Sequence, residues 1–377
     1  MVDIDKLISG LSDNGISFFT GVPDSLLNDF CLYLTNHLPG HQHVMAANEG
    51  NAIAIASGYH LATSKVPVVY MQNSGIGNAM NPLVSLAHGN VYSIPMILVV
   101  GWRGDPEVKD HAQHKKQGEL TPVLMDDMDI PYRILEKDDE VLSQFLWAKD
   151  EALKRMSPVA LLAKKGILAE KVKKQTYPES RLMNREEVIS VVTDFFEDKA
   201  VYFATTGRAT RELHEQLKEH GIGGDHEFLN VGSMGHVSSV ALGVALNIPS
   251  NLHTICFDGD AACLMHLGSL SAIGRYQPKR FIHIVLNNGV NESVGGQKSP
   301  GFDVSLTGVA SACGYQTVGH HVEKRDDIIM ALKNFLDSDK PCFLDVHVRQ
   351  GIRKNLPKLE INHHQIIDSL RNFLNTK

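Results

Sequence analysis

The sequence predicts two α/β domains, each a doubly wound parallel sheet, with no third domain between them. Three observations carry this. Short, almost uninterrupted apolar runs recur along the whole chain, as strands covered on both faces require. Helical patterns of about ten to fifteen residues separate them, which indicates βαβ units and parallel sheets. The runs also fall into two series with a polar stretch between.

The first series predicts strands at residues 16–20, 66–71, 93–100 and 158–162. The second predicts strands at 200–204, 252–257, 281–286 and 341–348. AEKVKKQTYPESRLMNREE, residues 169–187, is polar, charged and contains a proline, so it reads as a linker. The first domain is then 1–168 and the second 188–377, which leaves room for a shared architecture. In the second series, residues 261–276 predict a single helix whose buried stripe is Leu264, Leu267, Leu270 and Ile273.

Composition narrows the class. With 377 residues the chain has room for two ordinary domains. A hydrophobic share of 43% and a charged share of 21% fit a soluble globular protein. The net charge of −7 leaves no basic footprint for nucleic acid. Cys31, Cys256, Cys263, Cys313 and Cys342 form no CxxC pair, so they read as reduced thiols of a cytoplasmic protein. The first residues, MVDIDKLISGLSDNG, lack the apolar core of a signal peptide, and no run approaches the ~20 apolar residues of a membrane span.

The chemistry concentrates at strand ends. FDGDAACLMHLG, residues 257–268, puts Asp260 after one strand, and Asn287-Asn288 follow the next. A right-handed crossover brings both ends to one sheet edge, where open α/β sheets bind ligands. Asp260 alone would be an ordinary helix cap. With Asn288 it offers two hard oxygens to Mg²⁺, an ion that prefers oxygen at ~2.1 Å and keeps substrate phosphates in its shell. One carboxylate leaves such a site cationic, so a diphosphate suits it. Gly259 permits close backbone approach. In the first half, MAANEGNAIAIASGYHLAT (45–63) puts Glu49 at the start of a helix of small residues. No G-x-G-x-x-G follows the first strand of either half, which weakens a plain nucleotide-binding reading.

Together these stretches resemble the thiamine diphosphate-dependent enzymes. Their diphosphate motif, Gly-Asp-Gly and then Asn-Asn, stands here as Gly259-Asp260-Ala261 and Asn287-Asn288, with Ala261 as a departure. The resemblance implies Asp260, Asn288 and the Val290 carbonyl as Mg²⁺ ligands. It implies Thr206 and Gly207 at the diphosphate, Gly232 at the aminopyrimidine and Met234 beneath the central ring of the cofactor. Glu49 lies in the context Asn-Glu-Gly-Asn-Ala, where the family keeps the carboxyl that activates thiamine diphosphate. A homodimer or higher oligomer, with active sites at the subunit interface, is the assembly implied.

The two-domain layout resembles the family's decarboxylases of small 2-keto acids bearing a second anionic group. FFTGVPDSLL (18–27), MQNSGIGNAMNPL (71–83) and ILVVGWRGDPEVKDHAQHKKQG (97–118) carry that likeness. It implies Asp24 and one of His111 or His114 as proton-transfer groups, with Asn73 and Ser74 at the substrate. Arg103 and Lys298 are the preferred anion contacts, because guanidinium and ammonium groups position such substrates. Asn291 stands where the resemblance leads one to expect histidine. The second anionic group is expected to be a phosphonate; a sulfonate is the closest alternative, and a carboligase using the same cofactor is another.

Overall fold

In a computed structural model, which describes residues 2–169, 180–249, 251–357, 359 and 362–376, the chain forms two compact units. The first runs up to residue 169 and takes in the short segment Ser293–Gln297; the second begins from residue 180.

The first unit holds a six-stranded sheet: β1 (Phe19–Gly21), β2 (His43–Met45), β3 (Val68–Gln72), β4 (Ile97–Gly101), β5 (Tyr132–Leu135) and β6 (Val159–Ala163). All pairings are parallel, in the order β2-β1-β3-β4-β6-β5. β3, β4 and β6 are buried almost throughout because helices cover both faces. One apolar layer contains Phe19, Phe30, Tyr70 and Phe145, and the opposite layer contains Ile53, Met71, Val100 and Leu162. Each such side chain contributes roughly 1.5–3 kcal/mol on burial.

The second unit repeats the plan. Its strands are β7 (Ala200–Ala204), β8 (Glu227–Leu229), β9 (His253–Gly259), β10 (Phe281–Asn287), β13 (Gln316–Thr317) and β14 (Cys342–His347), and a two-strand ribbon of β11 (Val290–Asn291) and β12 (Gln297–Lys298) follows β10. The sheet order β8-β7-β9-β10-β14-β13 matches the first sheet strand for strand. In each sheet the chain reverses its direction of growth beside the first strand: between β1 and β3, and between β7 and β9. Ligands of doubly wound sheets bind at such reversals, outside the carboxyl ends of the strands.

Three sequence expectations change. The helix predicted over 261–276 is two helices, Asp260–Met265 and Ser269–Tyr276. The chain leaves helical geometry at His266 (φ −130°, ψ 48°), whose ring packs 4.2 Å from that of His236. Leu270 and Ile273 are buried as expected, whereas Leu264 and Leu267 are only partly so. The stretch 169–187 ends inside a helix, Arg185–Phe196, started by a capping box between Asn184 and Glu187. Residues 170–179 of that stretch lie outside the described residues. Finally, β2, β5, β8 and β13 add edge strands beyond the eight central ones that the apolar runs predict.

Candidate active site

At the reversal of the second sheet, β7 ends at Thr205-Thr206-Gly207, β9 at Gly259-Asp260 and β10 at Asn287-Asn288. Asp260 opens a helix whose N-cap is Gly259. Its carboxylate is 2% exposed, and among the described residues no cationic side chain pairs with it. Burial pushes its pKa up to about 6, against the Ser299 hydroxyl and the amides of Asn288 and Ala261, which stabilise the charged form. A desolvated carboxylate with no counter-charge is built for a cation. The donors around it are oxygens: Asp260 Oδ, Asn288 Oδ1 and the backbone at Val290, whose amide donates to Asn288 Oδ1 at 3.2 Å. A Cβ on Gly301 would run into Asp260 Oδ2 and Asn287 Oδ1, so only glycine fits there.

Ala261 is the second residue of the helix Asp260–Met265 and is not among the residues with positive φ. Alanine suits a helix better than glycine, so this departure from Gly-Asp-Gly costs nothing locally. Gly207 has φ +116° and caps the helix Arg208–Glu219, a geometry that favours glycine. Beside it, Thr205 is buried and its Oγ1 has no hydrogen-bond partner among the described residues. The sequence points to Thr206; the buried hydroxyl with unused capacity is one position earlier. Gly232 and Met234 are both half-buried in the loop before the helix Val237–Ala245, where the exposed Ser233 takes positive φ. Lys298 is exposed on β12.

Asn288 is held by a network that sequence reading misses. Its Nδ2 donates to Glu292 Oε2 at 3.0 Å. The same buried glutamate accepts from Arg185 Nη1 at 2.8 Å and from the Gly351 amide at 2.6 Å, and pairs with Arg208 Nη1 at 2.9 Å. Arg185 is clamped on its other side by Glu212, at 2.5 and 2.8 Å. This satisfied network orients Asn288 so that its carbonyl oxygen, not its NH₂, remains on the ligand side.

In the first unit, Glu49 begins the helix Glu49–Thr63 and is 5% exposed. Asn78 Nδ2 donates to its Oε2 at 2.8 Å. A Cβ on Gly75 would run into its Oε1, so that glycine makes room for the carboxyl. Asp24, at the β1–β3 reversal, is fully buried; Gln72 Nε2 donates to it at 2.5 Å and the Leu26 amide at 3.2 Å. Burial raises its pKa, and the Gln72 bond, the Leu26 amide and the Arg103 charge oppose this without cancelling it.

Arg103 is fixed by Asp110 through a bidentate pair at 2.7 and 2.6 Å, with a further bond to Ser25 Oγ at 2.9 Å. It lines a cavity of ≈ 260 Å³ with Ser25, Trp102, Lys109, Asp110 and Lys165. The same guanidinium holds Asp110 well below the usual carboxylate range. His114, in the helix Ala112–Asp127, has a pKa lowered by burial and by Arg103, and its buried Nδ1 has no partner among the described residues. His111 only caps that helix. Asn73 differs from its expected role. Its Nδ2 donates to the Arg103 carbonyl (2.8 Å) and Thr121 Oγ1 (2.9 Å), and its Oδ1 accepts from the Arg103 amide (3.2 Å). Every polar group of that side-chain amide is engaged inside the unit, so Asn73 clamps the Arg103 loop. Ser74 is exposed and donates to Gln72 Oε1 at 2.9 Å.

Residues 4–127 match the thiamine pyrophosphate enzyme N-terminal TPP binding domain, and residues 206–346 match the thiamine pyrophosphate enzyme C-terminal TPP binding domain. A phosphonopyruvate decarboxylase of Streptomyces viridochromogenes is 32% identical over 100% of this chain and 96% of its own. The chain belongs to the thiamine diphosphate-dependent decarboxylase family. A phosphonopyruvate decarboxylase of Streptomyces hygroscopicus is 30% identical over 99% of this chain and 94% of its own. A sulfopyruvate decarboxylase of Methanosarcina acetivorans is 25% identical over 99% and 98%. The all-oxygen donors, an Asp260 with no cationic partner among the described residues and the Thr205 hydroxyl with no partner among them fit a family member's cation and diphosphate.

Proposed function

We propose that this protein decarboxylates 3-phosphonopyruvate to phosphonoacetaldehyde and CO₂, using thiamine diphosphate and Mg²⁺. The observation that carries the substrate choice is the likeness of the chain, over its whole length, to two phosphonopyruvate decarboxylases; Arg103, Lys109 and Lys165 line one cavity, together with Asp105 and Asp110. A keto acid with a phosphonate carries up to three negative charges, and Lys109 and Lys165, beside an Arg103 already held on Asp110, offer ammonium groups to it.

Asp260, Asn288 and the Val290 carbonyl would hold Mg²⁺, and Thr205, Thr206 and Gly207 the diphosphate. When bound, thiamine diphosphate supplies a nucleophilic thiazolium carbon and an electron sink for loss of CO₂. Glu49 would hydrogen-bond the far nitrogen of the pyrimidine. Its buried setting and the bond from Asn78 keep that contact away from bulk water. The carbon that loses CO₂ must take up one proton. Asp24, kept protonated to higher pH by burial, is the donor, and His114, held neutral by burial and by Arg103, can accept a proton. Arg103 would position an anionic end of the substrate, and Ser74 and Lys298 are further candidate contacts.

The assembly is a homodimer or larger, and the buried free thiols suit the reducing cytoplasm. No helix among the described residues is long and apolar enough to cross a membrane. Likeness to the archaeal enzyme keeps sulfopyruvate as the second reading. The deciding experiment compares kcat/KM for phosphonopyruvate and sulfopyruvate, with and without thiamine diphosphate and Mg²⁺. A preference for sulfopyruvate, or turnover without the cofactor, overturns the proposal.

A further inference from the structure

Two short segments of the second unit read HVE (321–323) and DVH (345–347). Val322 and Val346 pair as a parallel bridge: the Val322 amide donates to the Asp345 carbonyl at 2.8 Å, and the His347 amide to the Val322 carbonyl at 2.9 Å. Both valines are buried in the apolar core. In extended chain, side chains alternate between faces. With the valines inward, His321, Glu323, Asp345 and His347 all project from the other face. The observed contacts agree. The imidazoles of His321 and His347 stack in parallel, 3.7 Å apart and 3° from coplanar. His321 Nε2 lies 3.5 Å from Glu323 Oε1, and His347 Nε2 lies 3.8 Å from Asp345 Oδ2.

We infer that His321, Glu323 and His347 form a second cation site, separate from the Mg²⁺ ligands and selective for a borderline divalent metal such as Zn²⁺, Co²⁺ or Ni²⁺. One ligand atom from each of the three lies within 4.8 Å of the others. Donors around a tetrahedral Zn²⁺, at bonds of ~2.0–2.1 Å, stand about 3.3 Å apart. The ligands close by about 1.5 Å, and because a metal lies in the plane of each ligating imidazole, His321 must also turn out of its parallel stack on His347; His321 and Glu323, each roughly half exposed, have the side-chain freedom to do so. The donor set decides the metal. Two imidazoles and one carboxylate suit zinc, cobalt, nickel or copper, whereas Mg²⁺ prefers oxygen alone. The Asp260 site has the opposite character, so the two sites sort cations by chemistry. Asp345 stands behind the cluster, 3.8 Å from His347 Nε2, and accepts a hydrogen bond from Asn287 Nδ2 at 3.1 Å.

The test uses untagged full-length protein saturated with thiamine diphosphate and Mg²⁺, titrated with Co²⁺ and followed by visible absorption, with Zn²⁺ calorimetry alongside. Saturating Mg²⁺ keeps the oxygen site filled. The expected result is one Co²⁺ per chain with the visible band of nitrogen-ligated cobalt, undiminished by a hundredfold excess of Mg²⁺. His321→Ala and His347→Ala should each weaken binding at least roughly tenfold, and Glu323→Gln less. His321 is half exposed, so its variant tests the site even if His347→Ala folds poorly. No cobalt band in the wild type, or wild-type affinity in His321→Ala, overturns the proposal.

Discussion

Replacing Asp260 by asparagine should stabilise the metal-free protein and abolish its response to Mg²⁺. The carboxyl has a pKa of 3.8 in the unfolded chain and about 6 in the folded one, where burial is the dominant cause. A folded-state pKa raised in this way means that the native form holds the proton more tightly. The associated stability is fully present below pH ~4 and is lost as pH rises through ~6. At neutral pH that rise in pKa costs the folded state on the order of 3 kcal/mol. Asparagine removes the charge but pairs less well with Ser299, whose Oγ already accepts from the Gly301 amide. A net gain of about 1–2 kcal/mol remains, or a rise in Tm of about 2–8 °C for a unit of this size. Calorimetric melting of metal-free protein from pH 4 to pH 8 should show the variant's advantage growing through pH 6 and then levelling off. With Mg²⁺ and thiamine diphosphate at a hundredfold their dissociation constants, the order should reverse, because the wild type gains ~2.7 kcal/mol that the variant cannot. An Asp260→Asn protein that melts lower at pH 8 without metal, or that keeps Mg²⁺-dependent cofactor binding, would refute the reasoning.

Other expectations concern the groups that Asp260 does not touch. Glu49→Gln should bind thiamine diphosphate by calorimetry but lose roughly 10²-fold or more in kcat, and wild-type turnover would remove Glu49 from the mechanism. Gly75→Ala should mimic that loss and also lower the melting temperature, because the new methyl would run into Oε1, Cδ and Cγ of the buried Glu49 and overpacking costs about 1–3 kcal/mol. Glu292→Ala leaves Arg185 buried with only one partner and releases Asn288, so it should cost about 3–5 kcal/mol in denaturant unfolding and weaken Mg²⁺ binding. Glu292→Gln should recover much of the stability. Unchanged Mg²⁺ affinity in Glu292→Gln would leave the network a purely structural device.

The central strands were legible because both of their faces are covered, so each appears as an unbroken apolar run. Residues 200–204 match β7 residue for residue. The edge strands were not, because only part of each is buried. His43–Met45 is half-buried throughout, and Tyr132–Leu135 has one buried position of four. Asp260, Asn288 and Glu49 were found through local motifs. Glu292 and Arg185 were not, because their meaning lies in a pairing 107 residues apart. In sequence each looks like solvated charge, and Arg185 even falls in the stretch that reads as linker. Arg103 stands out as a strand-end cation, but its bidentate partner Asp110 shows up only in three dimensions.

The two sheets have the same strand order, yet their reversals carry different chemistry, and the difference can be traced to burial and charge. The first puts a buried carboxyl, Asp24, against a glutamine donor, with Glu49 on the helix that follows β2. Both carboxyls are buried away from bulk water. The second puts a buried carboxylate among oxygens, glycines and helix starts, and the nearest arginines are consumed by Glu212 and Glu292. That arrangement calls for a cation and its anionic ligand. A cofactor that needs both a hydrogen-bonding carboxyl and a metal-bound diphosphate requires one reversal of each kind. Neither sheet has both among the described residues, so one duplicated scaffold with two divergent edges is the smallest solution this chain offers.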